Sequence, residues 1–253
     1  MESENKRIVK NTLMLYFRQI LILLTSLYTV RIVLQALGAE DYGIYNVVAG
    51  TVTMFGFLTN SLAGASQRFF SFELGQGNCE SLQKIFSLML AIYILLAITI
   101  LFFAETVGLW FVKNKLTIPA TRINAAVWVY QASIFSFIIS ILTTPYMAAI
   151  IARENMKIYA YASVIEAILK FLVALSLSFM PDKLIAYGFL LLIITFLNTA
   201  VYRIYCGKHY KECHFVFYWD KEKFKEIVSY SCWNLFGSSI SISLLICSIG
   251  ESS

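Results

Sequence analysis

The stretch that decides the fold is NTLMLYFRQILILLTSLYTVRIVLQAL, residues 11–37, followed by the turn GAEDYG at residues 38–43. The first part exceeds the about 20 residues that an α-helix needs to cross a bilayer, yet it contains Arg18 and Arg31. After the turn, a second apolar stretch continues without a charge as far as Arg68. An arginine inside a membrane helix is costly and rarely faces lipid. The sequence therefore predicts a helical hairpin whose first helix lines a polar interior.

Helical geometry places the polar residues of this first helix on two faces. At about 100° per residue, Arg18, Thr25 and Thr29 fall on one narrow face. We interpret this face as part of a cavity wall, with Arg18 as a binding residue; the alternative is that Arg18 snorkels to the headgroup layer. Arg31 lies on another face near the end of the helix, beside Gln35. Snorkelling is the favoured interpretation for Arg31, which is kept as a second cavity candidate.

The composition predicts the fold class. Of the 253 residues, 59% are hydrophobic and the mean hydropathy is +0.72, more apolar than a soluble domain. Apolar runs of membrane length occupy residues 11–37, 42–67, 85–104, 123–152, 156–180 and 184–202. We therefore predict an all-α integral membrane protein with a bundle of six transmembrane helices. A weaker hydrophobic stretch near the C-terminus predicts a partial seventh helix.

The segments outside the spans complete the predicted organisation. Residues 1–10 form a polar cytoplasmic tail, and residues 11–205 form the six-helix bundle. Residues 206–226, which are rich in aromatic side chains, form a cytoplasmic segment at the membrane interface. Residues 227–253 form the partial seventh helix. The tail has no small-residue cleavage site after a short apolar core, so no removable signal peptide is expected.

The distribution of basic residues predicts the orientation. Thirteen Lys and Arg residues lie in the N-terminal tail and in the even-numbered connections, and four lie on the opposite side. Cytoplasmic loops carry the excess of such residues, so the N-terminus is expected in the cytoplasm. The net charge of +5 is spread over alternate loops. This is not the single basic face of a nucleic-acid-binding protein, and no nucleic-acid partner is expected.

Cysteine and histidine do not predict a metal site. The five cysteines are odd in number and irregularly spaced, which excludes a disulfide framework. Cys206, His209, Cys213 and His214 have the spacing C-x2-H-x3-C-H, which is not that of a standard zinc finger. We expect no metal and no cofactor.

Three further residues are candidates within the spans. Glu166 and Lys170 are spaced i,i+4 with the acid first, the favourable order on a helix. Two interpretations stay open: a self-neutralising structural bridge, or a cavity-lining pair that engages an ion or a substrate pyrophosphate. Pro145 follows two threonines and predicts a kink or hinge.

The chain carries no recognisable catalytic set. It contains no phosphate-cradling G-x-x-x-x-G-K-S/T motif and no Ser-His-Asp grouping that the predicted helices bring together. We therefore predict that the protein is not an enzyme.

Three stretches together resemble one family. They are RIVLQALGAEDYGIYNVVAG at residues 31–50, NSLAGASQRFFSFELGQGN at 60–78, and TTPYMAAIIARENMKIYAYASVIEA at 143–167. The chain resembles the N-terminal half of bacterial polysaccharide (O-antigen-type) flippases of the multidrug/oligosaccharidyl-lipid/polysaccharide exporter superfamily. The resemblance covers about residues 8–237. The tail GSSISISLLICSIGESS departs from the family pattern and resembles the end of a truncated chain.

The resemblance implies a fold, a function and partners. It implies one half of a transporter of twelve to fourteen helices, with the C-terminal half missing. It also implies that a lipid-linked oligosaccharide or polysaccharide precursor crosses the bacterial cytoplasmic (inner) membrane by alternating access. The implied partners are the lipid-linked glycan, membrane lipids and a coupling cation. The alternatives are a multidrug/cation antiporter of the same superfamily and, from a different class, an intramembrane glycosyl- or acyltransferase. The basic residues of the first helix favour an anionic substrate.

Overall fold

The computed structural model describes residues 2–77, 79–116, 118–119, 121–213, 215–216, 218 and 220–250. These residues form eight α-helices and no strand. In chain order the helices are α1 (Glu2–Thr53), α2 (Gly56–Gln76), α3 (Cys79–Phe103), α4 (Leu109–Asn114), α5 (Ile123–Ala152), α6 (Met156–Ser176), α7 (Lys183–His209) and α8 (Lys221–Gly250). The short elements are a π-helical turn (Ala104–Gly108) between α3 and α4, and 3-10 turns (Leu177–Phe179 and Lys211–Cys213) after α6 and α7.

Five helical stretches of the described residues are long and apolar enough to cross a bilayer. They are Thr12–Thr53, Glu80–Asn114, Ile123–Ala152, Met156–Phe179 and Lys183–His209. Their lengths and hydropathies indicate a multi-pass membrane protein, as the composition predicts. The first stretch has 42 residues, about twice what one crossing needs.

Helix α1 is interrupted at one residue, Gly38. Its backbone has φ 81° and ψ 168°, a conformation that essentially only glycine adopts. Before Gly38, α1 runs in the same direction as α6: Arg18 contacts Ser163, and Val33 packs in a cluster with Leu177. We call residues 2–37 the first arm of α1 and residues 39–53 the second arm.

The second arm runs in the opposite direction to the first. It begins beside the start of α5, where Asp41 and Arg122 form an ion pair of 3.0 Å, and Val52 packs in a cluster with Ile134 further along α5. Because α5 and α6 are joined by only three residues, they are antiparallel, so the chain reverses at Gly38. This is the predicted hairpin, but its turn is confined to one glycine.

The predicted and observed helices differ mainly at their ends. The predicted helix 123–152 coincides with α5, and α5 stays helical through Pro145. Helix α1 begins at Glu2, well before residue 11. The predicted helix 42–67 is divided by a turn at residues 54–55 and then continues as α2 to Gln76. At that turn, Thr51 and Thr53 donate hydrogen bonds to preceding backbone carbonyls, which compete with the regular helical ladder.

Four ion pairs of the described residues join separate elements, and they lie in two groups. Arg122 pairs with Asp41 at 3.0 Å and with Asp182 at 3.8 Å, where α1, α5 and α7 meet. Nearby, Lys183 Nζ donates to the carbonyl of Ala36 at 2.9 Å, one of the carbonyls next to the Gly38 break. We call this the Asp41 end of the bundle.

The opposite end, which we call the Arg153 end, holds two more ion pairs. Arg153 pairs with Glu212, and Lys223 of α8 lies 3.7 Å from the carboxylate of Glu73 on α2. Arg122 and Lys183, which the charge count assigns to one side of the membrane, thus lie at the Asp41 end, and Arg153 and Lys223, assigned to the other side, lie at the Arg153 end.

The segment predicted at the membrane interface crosses the Arg153 end. The backbone N–H of Val216 donates to Ser87 at 3.0 Å, which ties the segment to α3. Asp220 caps α8 by accepting from the backbone N–H groups of Glu222 and Lys223. These hydrogen bonds, with one from Tyr218, lower the pKa of Asp220. Helix α8 thus begins at Lys221, before the predicted residue 227.

The packing between the π-helical turn and α5 can be tested by a substitution at Gly108. A methyl group at Gly108 would overlap the Tyr130 hydroxyl, which is buried and donates to the Ala104 carbonyl at 2.8 Å. We expect Gly108→Ala to lower the free energy of unfolding by about 1–3 kcal/mol, as overpacking typically does. The measurement is thermal unfolding in detergent.

Gly207→Ala is the matched control, because no atom of the described residues lies within 4 Å of a methyl group at Gly207 on α7. Removing the hydroxyl with Tyr130→Phe should rescue part of the Gly108→Ala loss in the double variant. Equal melting temperatures for the two alanine variants would contradict this description of the contact.

Candidate functional site

A cavity of about 440 Å³ lies between the second arm of α1, α5, α6 and α7. We call it the central cavity. Its walls are formed largely by small and hydroxyl-bearing side chains within otherwise apolar helices. The polar residues that line it are Tyr45, Thr53, Ser133, Ser136, Ser140, Thr143, Thr144, Tyr159, Ser163, Glu166, Lys170, Thr195, Asn198, Thr199 and Tyr202.

Helical periodicity explains why these residues share one surface. On α5, serine and threonine occur at residues 133, 136, 140, 143 and 144, and on α7 polar residues occur at 195, 198, 199 and 202. Spacings of three and four residues keep side chains on one helix face. The two stripes face each other, and the Thr143 and Thr199 hydroxyls are 2.6 Å apart. Two polar faces, one on α5 and one on the parallel helix α7, therefore line the cavity.

Most of the threonine hydroxyls already donate their proton to their own helix. Thr144 donates to Ser140, Thr195 to Leu191 and Thr199 to Thr195, at 3.2, 3.0 and 2.8 Å. Such bonds satisfy the hydroxyl donor, while its oxygen lone pairs can still accept hydrogen bonds. These walls therefore favour a ligand that supplies many hydrogen-bond donors.

The charged group of the central cavity is the predicted pair on α6. Lys170 Nζ lies 2.6 Å from Glu166 Oε1, and Asn198 of α7 donates to Glu166 Oε2 at 2.7 Å. Both oxygens of the carboxylate are therefore engaged. Glu166 lies ten residues into α6, about 15 Å from its start at 1.5 Å per residue. The pair lines the cavity and also neutralises itself, and its engagement of an ion or a substrate pyrophosphate stays a prediction.

Arg18 contacts two residues in the wall of the central cavity, Ser163 and Tyr159. Its Nη1 donates to Ser163 Oγ at 3.4 Å, and its guanidinium lies 4.4 Å from the centre of the Tyr159 ring. No group in the described part of the chain accepts from the buried Nε of Arg18. A partly satisfied guanidinium beside two cavity-lining residues has hydrogen-bond donors available for an anion.

The other sequence candidates are divided between two environments. Thr25 and Thr29 line a second cavity, of about 360 Å³, between the first arm of α1 and α6. They share a face with Arg18, as helical geometry predicts. Arg31 is exposed and lines neither cavity. Pro145 is buried in α5, directly after Thr143 and Thr144 and on the side toward the Arg153 end. Its hinge role stays a prediction.

Sequence reasoning missed most of the cavity wall. Asn198 and Ser163 were not singled out, although Asn198 bonds to Glu166 and Ser163 to Arg18. The available signal was the i, i+3, i+7 recurrence of small polar residues on α5 and α7 within charge-free spans. That recurrence predicts a shared polar face, but not which helices pair across it.

The residues weighed as zinc ligands lie in different surroundings. Cys206 is buried and contacts the Tyr146 carbonyl, whereas His209 is exposed and stacks on Tyr205 at 4.3 Å. A hydrogen bond to Cys206, together with burial, raises the pKa of the Cys213 thiol. His214 lies outside the described residues, and the described ones contain no cluster of three or more potential metal ligands.

Comparison with known proteins places the chain in a family. No curated protein and no solved structure matches it significantly. The family model described as "Polysaccharide biosynthesis protein" matches residues 8–249. That match extends past Gly237, where the sequence resemblance was expected to end. It spans nearly the whole sequence, including every element that builds the central cavity, so the chain belongs to the polysaccharide biosynthesis protein family.

Proposed function

We propose that this protein moves a lipid-linked oligosaccharide or polysaccharide precursor across the bacterial cytoplasmic membrane. The observation that carries the proposal is the central cavity, a polar chamber within a membrane bundle whose hydroxyl oxygens accept hydrogen bonds. The hydroxyl groups of a sugar are the donors that such walls can bind. Family membership supports a glycan substrate.

The proposed mechanism is alternating access. Residues 11–205 form one bundle of six crossings, with the first two joined at Gly38. The polar cavity is exposed to each side of the membrane in turn, as in other transporters that bind substrate near the bilayer midplane. The headgroup crosses while the lipid chain stays in the bilayer, and Arg18 binds the phosphate groups that join them. The N-terminus and the Arg153 end face the cytoplasm, and a coupling cation drives the cycle.

Two other functions make different demands on the cavity. A multidrug/cation antiporter of the same superfamily needs an uncompensated acid for a cationic drug, whereas Glu166 is occupied by Lys170 and Asn198. An intramembrane glycosyl- or acyltransferase needs a reactive acid or base near the acceptor. Among the described residues, the lining of the central cavity contains no histidine, and both oxygens of its one acid, Glu166, are engaged. Both observations favour transport of a glycan.

The deciding experiment is deletion of the gene in its own host, followed by return of the wild-type chain. We expect deletion to reduce surface glycan and to accumulate its lipid-linked precursor on the cytoplasmic side, because synthesis continues while transfer stops. The measurements are surface glycan by gel and staining, and precursor by lipid extraction. Any second half encoded elsewhere remains present in this host.

Each alternative predicts a different phenotype for the same strain. Increased drug sensitivity with normal surface glycan would reject the glycan and support the antiporter. A glycan of altered chemical structure, exported at the normal rate, would support the transferase. Normal glycan, normal drug sensitivity and no precursor would reject all three functions.

Arg18 is the residue whose replacement best tests the phosphate contact. We expect Arg18→Gln to lower glycan export about tenfold or more, because a hydrogen bond to a charged group contributes about 1.5–3 kcal/mol. Arg18→Lys should retain part of the export, since it keeps the charge and loses the forked donor. Export is measured in the deletion strain at matched protein levels.

Arg31→Gln is the matched control, because Arg31 lies on the same arm, is exposed and lines neither cavity. It should export normally. If Arg18→Gln also exported normally, Arg18 would be a snorkelling residue and the phosphate contact would be wrong.

Single cysteines test the orientation. Cys79, Cys232 and Cys247 are replaced by serine, while Cys206 and Cys213 are retained because they are buried. In intact cells, an impermeant thiol reagent should then label Lys115→Cys and leave Lys157→Cys unlabelled. Both lysines are exposed, near opposite ends of the bundle. The reverse pattern would invert the topology, and the parent without either substitution sets the background.

A further inference from the structure

The second cavity is a groove on the surface of the bundle, between the first arm of α1 and α6. We call it the α1–α6 groove. Its volume is about 360 Å³, and Val30 on its rim is 48% exposed. Next to it, the first arm presents exposed Leu23 and Leu27, as a lipid-facing helix does. The groove therefore opens toward the acyl region of the bilayer.

The groove and the central cavity share part of their walls. Ser163, Glu166 and Lys170 line both. Arg18 reaches the same place, since it donates to Ser163. A molecule lying across this junction would have one part in a polar chamber and another part in a groove at the lipid surface.

The chemistry of the groove differs from that of the central cavity. Its hydroxyls are satisfied within the first arm: Thr25 donates to Leu21, Ser26 to Leu23 and Thr29 to Thr25, at 2.7, 3.0 and 2.7 Å. The hydroxyl protons of the first arm therefore need no partner from a ligand, and among the described residues α6 presents only one hydroxyl across the groove, that of Ser163. Ile22, Val30 and Ala167 supply the remaining apolar wall. The groove is suited to a hydrocarbon chain.

We propose that the α1–α6 groove binds the hydrocarbon chain of the lipid that carries the glycan. This inference rests on the proposed function. The sugar occupies the central cavity, the linking phosphate lies at Arg18 beside Ser163, and the chain leaves along the groove into the bilayer. The groove thus holds the hydrocarbon chain of the lipid while its headgroup lies in the central cavity.

Depth distinguishes this lipid from a bulk phospholipid. Ser163 is seven residues into α6, about 10 Å from its start at 1.5 Å per residue. The phosphate of a bilayer phospholipid stays in the headgroup layer, outside the hydrocarbon core. A phosphate at Arg18 therefore belongs to a lipid whose headgroup has been drawn into the bundle.

Photo-crosslinking of the purified full chain in lipid nanodiscs tests the proposal. The probe is a long-chain isoprenyl diphosphate without a sugar, with a diazirine on the chain. We expect crosslinks on residues 22–30 and 163–170, at least tenfold weaker in Ala167→Trp, which fills the groove. Ile165→Trp is the matched control, because Ile165 lies on the same helix and is 56% exposed. Ser26→Trp blocks the groove from the opposite wall if Ala167→Trp does not fold.

Competition identifies the occupant. Unlabelled isoprenyl diphosphate should remove the crosslinks, and an equal excess of phospholipid should not. Equal competition by phospholipid would show that the groove is a bulk lipid site and would overturn the proposal. Crosslinks that neither Ala167→Trp nor Ser26→Trp changes would also overturn it. The assay contains no transport step. If the probe crosslinks in the groove but deletion of the gene leaves surface glycan normal, the proposed function is wrong, and the binding of an isoprenyl chain in the groove still holds.

Discussion

The structure depends on one constraint, that a charge in the middle of a membrane bundle needs a partner. Glu166 lies halfway along α6, and Lys170 lies one turn further on. Lys170 and Asn198 together engage both carboxylate oxygens. An unpaired buried charge is far more costly than a pair whose hydrogen bonds are satisfied. The hydrogen bond from Asn198 joins α7 to the pair on α6, and the central cavity lies beside that contact.

The same constraint shapes the walls on either side of α6. Backbone carbonyls accept the protons of the threonine hydroxyls, so α5, α7 and the first arm carry these side chains with their donors satisfied. The two walls differ in what else lines them: facing stripes of serine and threonine in the central cavity, and Ile22, Val30 and Ala167 in the groove. Ion pairs are concentrated at the Asp41 and Arg153 ends, where they join separate helices. This arrangement favours movement of the bundle as one body, as alternating access requires.

The sequence predicted the fold class because runs of apolar residues and the charges between them depend only on the chain itself. The face shared by Arg18, Thr25 and Thr29 could be predicted for the same reason, and so could the Glu166–Lys170 pair. Asn198 and Ser163 could not, because their importance arises from contacts between α6 and other helices, which periodicity does not specify. The pairing of Asp41 with Arg122 was missed for that reason too. The turn was expected to span the six residues 38–43, whereas the chain reverses at Gly38 alone. The sequence could not predict this, because the length of the turn depends on how the two arms pack against other helices.

Gly38 has a consequence for how the protein enters the membrane. A reversal confined to one residue leaves almost no loop to thread across the bilayer after the first arm has inserted. The geometry of the turn therefore favours entry of the two arms together, as a helical hairpin. Within that hairpin, the carbonyl of Ala36 accepts a hydrogen bond from Lys183, a residue that leaves the ribosome much later than the hairpin. The hydrogen bond from Lys183 can thus form only after the fifth apolar segment has been synthesised and α7 has begun, which links the maturation of the first hairpin to the arrival of α7.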